Sequence, residues 1–284
     1  MSDFGGFSEF SVGSVIGNAW NVMWRKPLAF LGITVVSSIL STLMAAALAA
    51  IFDTLFSWFN IPARAFIIIA TVGKFAVEII STGLGFAVFQ GALTYAIFML
   101  LQHGGVSMGE AFQRSASRVL AIFFATMIIG FAIILMFIVP AVMGTVPLPN
   151  EMPLLIILFN IISIIAAIVF GVKLLVKWSV FAPVCVIEKT GAIASLGRSS
   201  YLTEGYRGEI FGIFILVGLI LVLFIVIAES SGLIFVSGLL RRIVVVIVST
   251  LPLTFLNVLP AVIYFRLRIV KENFTLDSLA DIFD

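Results

Sequence analysis

The chain has 284 residues, 62% of them hydrophobic and 11% charged, with a net charge of +2. An ordinary soluble domain carries about 25% charged residues, and the mean hydropathy here is +1.27, which excludes a soluble enzyme, a nucleic-acid-binding domain and a disordered tail. One cysteine, Cys185, and one histidine, His103, supply neither an internal disulfide nor a thiolate or His-rich metal site.

Several apolar runs exceed the roughly 18 residues that cross a ~30 Å hydrocarbon core. They are solid rather than alternating with period two, so they read as helices and not as barrel strands. The N-terminal stretch Met1 to Phe10 holds Asp3 and Glu9 and no basic residue, so the first span is expected to act as its own insertion signal. Six spans follow. The first is Leu28 to Ile51. The stretch Ala65 to Leu101 would be about 55 Å as a straight helix, too long for one span, and it carries Lys74 and Glu78. It divides into an outer, interface-lying segment from Ile61 to Ile80 and a second span from Thr82 to Leu101. Val119 to Val142 is the third span and Leu154 to Val172 the fourth. Trp178 to Ile187 is then a short apolar segment at the cytoplasmic face, broken by Pro183. Ile210 to Ala228 and Ile243 to Phe265 complete the set.

Arg64, Lys74, Arg241 and Arg242 fall on one side of this arrangement and the other twelve of the sixteen basic residues on the opposite side. The asymmetry places both termini in the cytoplasm. Three cytoplasmic segments share a pattern: Phe10 to Trp20 leading into Arg25-Lys26-Pro27, Val106 to Arg114, and Gly191 to Tyr201. Val12, Val15, Ile16, Ala19, Val22 and Met23 follow helical spacing. Ser107 and Glu110 have the spacing of a capping box. The expected plan is an interfacial amphipathic helix plus two spans, repeated three times over residues 10–101, 106–187 and 191–265. A cytoplasmic tail, 266–284, ends in a short amphipathic helix with an acidic face formed by Asp277, Asp281 and Asp284. It would pack on the basic cytoplasmic helices or on a partner.

Ser37, Ser41, Ala45 and Ala49 form a small-residue stripe that lets another helix approach closely, from within the molecule or from a partner. Lys74 and Glu78 have i, i+4 spacing and read as interfacial helix charges. Lys173 and Lys177 share a helix face and reach the cytoplasmic interface by snorkelling. Asn160, Gln90 and Asn257 are polar groups within spans, suited to interhelical hydrogen bonds. Asn160, Lys173 and Asn257 are the residues from which an intramembrane polar site would be built. Pro252 and Pro260 flank Asn257 and are expected to kink the last span. Glu229, Arg241 and Arg242 bracket an apolar outer loop, Ser230 to Leu240. No nucleophile elbow, Walker loop, zincin motif or paired intramembrane carboxylate is present.

Trp178-x4-Pro183-x4-Glu188, Leu196-Gly197-Arg198-Ser199-x2-Leu202-Thr203-x-Gly205 and Tyr264-x-Arg266-Leu267-Arg268-x2-Lys271-Glu272 resemble YciC-like bacterial integral membrane proteins. That family is similar to the membrane domain preceding the catalytic domain of some glycerophosphodiester phosphodiesterases. Phe10-Ser-Val-Gly, Gly91 to Tyr95 and Leu279 to Asp284 fit the resemblance too. It implies a bacterial inner-membrane protein of about six spans. No phosphodiesterase domain lies in this sequence, so that activity is not carried over. The matched Arg198, Arg207, Arg266 and Arg268, with Arg25 and Lys26, would bind lipid headgroups or form a cytoplasmic ion-pair network with Glu188 and Glu272.

The reading is an all-α, six-span membrane protein without cofactor or enzymatic activity, an accessory or scaffold subunit that organises lipids or stabilises a larger assembly. Its partners would be membrane lipids, other integral membrane proteins or further copies of itself, and no nucleic acid. A transporter or channel for a small solute is the alternative.

Overall fold

A computed structural model of the chain describes residues 10–58, 63–145, 153–230 and 238–272. Among these residues the regular structure is helical: α1 (Val12–Arg25), α2 (Pro27–Ser57), α3 (Ala63–His103), α4 (Met108–Ala116), α5 (Val119–Thr145), α6 (Pro153–Lys177), α7 (Phe181–Ile187), α8 (Ala192–Thr203), α9 (Arg207–Ser230) and α10 (Gly238–Glu272). Six segments are long and apolar enough to cross a membrane: Pro27–Ser57, Ala70–Gln102, Val119–Val142, Ile157–Ile187, Arg207–Ile227 and Thr250–Glu272. The chain is a multi-pass helical membrane protein. The acidic tail and positions 231–237 of the last outer loop lie outside the described residues.

Local sequence accounts for the starts of the short helices. Ser11 caps α1 with a full capping box: its hydroxyl accepts from the Ser14 N–H while Ser14 Oγ accepts from the Ser11 N–H. At α4 only half of the expected box forms. Ser107 Oγ accepts from the Glu110 N–H at 3.4 Å, but the Glu110 carboxylate turns to Arg114, 3.0 Å away on the next turn, where an opposite charge competes with the backbone donor. Gly191 caps α8 without a side chain. Pro27 occupies the first position of α2, where a missing N–H costs no helical bond.

Two expected boundaries are corrected. The outer segment and the second span are one uninterrupted 41-residue helix, α3. It contains no proline, and its glycines are close-packing points rather than breaks. A Cβ on Gly85 would stand 2.2 Å from Ser41 Oγ, and one on Gly73 would stand 2.1 Å from the Phe52 ring, so α2 lies directly against α3 at both places. Lys74 does not act as a partner of Glu78; it reaches Asp53 on α2 at 3.2 Å. Nor does Pro183 break its segment. It sits in the first turn of α7, where proline is tolerated, and the chain turns earlier, at 178–180.

Burial is concentrated in three stretches: Ala92 to Leu100 of α3, all of α7, and Val258 to Leu267 of α10. The amphipathic faces of α1 and α8 close over them with Val15, Ala19, Val22, Leu196 and Leu202. In contrast α2, α5, α6 and α9 expose large apolar side chains such as Leu43, Phe131, Phe170 and Leu219. That surface is stable only in an apolar solvent, which fits lipid-facing helices.

Candidate functional site

The first cluster forms where α7, α8 and α10 meet. Glu188 follows α7 and presents its carboxylate to α8, where Arg198 Nε donates to both of its oxygens at 3.0 and 3.1 Å. Arg198 Nη2 lies 2.5 Å from Glu272 on α10. Glu272 also accepts from Arg268 Nε at 3.0 Å. Tyr264 closes the ring: its hydroxyl donates to Glu188 at 3.1 Å and accepts from Arg268 Nη1 at 3.1 Å. Burial works against the charge of Arg198, but the hydrogen bonds and charges of Glu188 and then Glu272 outweigh it. The guanidinium is held above its ordinary pKa. The network is partly buried and each carboxylate oxygen accepts at least one charge-assisted or hydroxyl hydrogen bond, which offsets part of the desolvation cost.

The remaining predicted cations are placed differently. Arg266 is fully enclosed by protein and presents no surface to a headgroup. Arg25 and Lys26 are exposed at the corner between α1 and α2. Arg207 is exposed at the start of α9, and its Nη2 donates to the Ser200 carbonyl at 3.3 Å.

A groove of about 810 Å³ runs along α6 and α9. Its walls are apolar, with Met136, Ile168, Phe170, Leu174 and Phe211, and Lys173, Lys177 and Arg207 line it, with no acidic side chain among the described lining residues. Lys173 Nζ stands 5.7 Å from the centroid of Phe170, and Lys177 Nζ 5.8 Å from that of Trp178. Aromatic faces therefore hold both ammonium groups against the apolar wall.

The predicted intramembrane trio does not converge. Asn160 Nδ2 donates to the Pro140 carbonyl at 3.0 Å, tying α6 to α5. Lys173 is thirteen residues further along the same helix, about 20 Å away. Asn257 lies across the bundle, where its Oδ1 accepts from Gln90 Nε2 at 2.9 Å. Asn257 lines two spaces. One is a cavity of about 450 Å³ lined by Thr34, Ser37, Ser41, Thr82 and Asn257. The other, of about 500 Å³, is lined by Gln90, Asn257 and a largely aromatic wall. Of the α2 stripe, Ser37 lines the first cavity and Ser41 touches α3 at Gly85, while Ala45 and Ala49 continue the stripe half-buried.

Three features escaped the sequence. Tyr264 as the hub of the ion-pair network follows from the i, i+4 spacing of Tyr264, Arg268 and Glu272, a signal that was legible. The buried Thr34–Thr254 contact between hydroxyls at 2.9 Å bridges residues 220 apart and leaves no local trace. So does a polar pocket of about 610 Å³ where Arg114, Arg118 and Lys189 gather around Tyr95. Among the described residues no three His, Cys, Asp or Glu side chains could hold a metal ion.

Comparison with protein-family models, with curated proteins and with solved structures gave no match to this chain.

Proposed function

We propose that this protein is a non-enzymatic organiser of anionic membrane lipids, acting as an accessory subunit of a larger membrane assembly. The observation that carries the reading is the α6–α9 groove, an apolar trough with Lys173, Lys177 and Arg207 along it and no carboxylate among its described lining residues. A phospholipid with a net negative headgroup matches both halves of that description, because the cations meet phosphate while the walls meet acyl chains. In this reading the helices α1, α4 and α8 lie in the headgroup plane on the cytoplasmic side, each followed by two spans, and both termini are cytoplasmic. The resemblance in the cytoplasmic motifs points to the bacterial inner membrane. The outward apolar faces of α5 and α9 supply contact area for lipid and for partner helices alike.

The test is to purify the protein in a mild detergent and weigh the intact particle with its bound lipids. The wild type is expected to retain anionic phospholipid in preference to zwitterionic lipid. The K173Q/K177Q/R207Q variant is expected to lose that preference. Equal retention by the two proteins would reject the reading. Stoichiometric foreign subunits in the particle would identify the assembly, and a lone particle would reject the accessory role.

A transporter for a small solute is the second reading. Asn257, bonded to Gln90 and lining two cavities, favours it. Solute flux into proteoliposomes that is altered by Asn257→Leu would support it.

A further inference from the structure

Beside the basic groove lies the 500 Å³ cavity, walled by Trp178, Phe181, Phe214, Leu256 and Pro260 and lined by both members of the Gln90–Asn257 pair. Val172, Val176 and Phe211 line both spaces, so groove and cavity share a single wall of side chains from α6 and α9. The two are also joined through adjacent residues. Lys177 belongs to the groove, and its ammonium stands over the ring of Trp178, which belongs to the cavity.

The polar atoms of the inner cavity narrow the choice of ligand. Gln90 bonds to Asn257, and Thr126 Oγ1 donates to the Ile122 carbonyl at 2.8 Å. The Ser179 hydroxyl, two residues beyond Lys177, is shielded from solvent and has no hydrogen-bond partner among the described residues. A buried hydroxyl without an acceptor is unfavourable, and an ester carbonyl arriving beside it would supply one. A hydrated ion or sugar would leave the aromatic wall facing polar groups, whereas a hydrocarbon chain matches it.

We propose that the inner cavity receives one acyl chain of an ester-linked anionic phospholipid. Lys173, Lys177 and Arg207 hold its phosphate in the groove, and Ser179 Oγ donates to the ester carbonyl. The second chain stays in the groove against Ile168 and Val169, facing the bilayer. This inference rests on the anionic-lipid reading of the groove and adds to it a defined depth and a defined hydrogen bond.

The test uses Trp178 as a reporter. The chain has four tryptophans, and W20F/W24F/W58F leaves Trp178 alone. In detergent micelles, phosphatidylglycerol with brominated acyl chains is expected to quench Trp178 saturably, at concentrations at least tenfold below those needed with brominated phosphatidylcholine. K173Q/K177Q/R207Q should abolish that advantage. Ser179→Ala should weaken binding several-fold and Ser179→Thr should restore it. I129F/L256F, which fills the cavity, should retain co-purifying phosphatidylglycerol but lose the quenching. Should the filled variant fail to fold, the comparison of the two lipids and the Ser179 pair decide the matter. Quenching that is equal for the two lipids, or unchanged by Ser179→Ala, would overturn the acyl-chain site. If charge-dependent retention of phosphatidylglycerol persists in that case, only the inner site falls; if it is also absent, the anionic-lipid reading falls with it.

Discussion

A single guanidinium, Arg198, joins two carboxylates from separate parts of the chain: Nε reaches both oxygens of Glu188 at 3.0 and 3.1 Å, and Nη2 reaches Glu272 on α10. Arg268 shares Glu272 with it and also donates to the Tyr264 hydroxyl, so Arg198 is the charged link that carries the network from Glu272 back to Glu188.

Removing Arg198 leaves the partly buried Glu188 with only the Tyr264 hydroxyl among the described residues, while Glu272 keeps Arg268. Arg198→Ala is expected to cost about 2 kcal/mol, less than a fully buried pair because the arginine keeps some contact with solvent. A thermal melt in detergent should show a drop of several degrees. Arg198→Lys should recover only part of it, since an ammonium cannot reproduce the forked contact.

The contribution of Arg198 should not vary with pH across the neutral range. Its folded pKa is raised above the ordinary arginine value, so its stabilisation is fully present below that ordinary value and is lost only as pH rises through the folded value. The difference in melting temperature between wild type and Arg198→Ala should be constant from about pH 6 to about pH 9, a window well below any arginine titration. A difference that vanishes toward pH 9 would contradict this account.

The α2–α3 contact should be intolerant of bulk at Gly85. A Cβ there meets Ser41 Oγ at 2.2 Å and Ser41 Cβ at 2.7 Å, so Gly85→Val must push two long helices apart, at a cost of roughly 1–3 kcal/mol. Gly130→Ala on α5, where a Cβ meets nothing within 4 Å, is the control and should melt as the wild type does.

Gln90 and Asn257 should behave as a coupled pair. Each single change to Leu leaves one amide without its partner across the helix interface, and the double change removes both. A double-mutant cycle read by thermal unfolding should give a coupling of about 0.6 kcal/mol or somewhat more, the usual range for interhelical hydrogen bonds in membranes. Strict additivity would show that the bond contributes nothing.

The salt bridge between Lys74 and Asp53 should matter little to stability. Both side chains are more than half exposed, at 60% and 56%, and pairs of that kind contribute about 0–1 kcal/mol. Lys74→Gln is expected to leave the melting temperature within a degree or two, in low salt and high salt alike.

The architecture was legible where the signal was local and long. Apolar runs gave six spans, and the three polar segments before spans one, three and five are the helices α1, α4 and α8. The boundaries failed where an inference rested on length alone. The stretch Ala65 to Leu101 divides in two on length alone, because a straight helix of that size outreaches one span, yet Gly73, packed on Phe52, shows that its outer half lies against α2. Among candidate residues, Glu188, Arg198, Arg268 and Glu272 are pointed to by the family resemblance of the cytoplasmic motifs, and the structure brings them within hydrogen-bonding distance. Asn160, Lys173 and Asn257 stood out only for being polar in apolar runs. That property says nothing of azimuth, and they face three different neighbours. The Thr34–Thr254 contact and the shared wall between groove and cavity are made by distant segments and have no linear signature.

The length of the α2–α3 hairpin sets a relation to the thickness of the surrounding membrane. Asp53 lies 26 residues after Pro27, about 39 Å along the axis, while hydrocarbon cores measure roughly 27–33 Å. At the average tilt of about 20° that length rises about 37 Å, more than the core is thick, so the Asp53–Lys74 end stands at or beyond its edge. A thicker bilayer therefore swallows more of the hairpin and brings that charged tip toward the ester layer, while a thinner one leaves it in water. The energy of the tip thus depends on the local lipid, and the protein is biased toward regions of the membrane that suit its height.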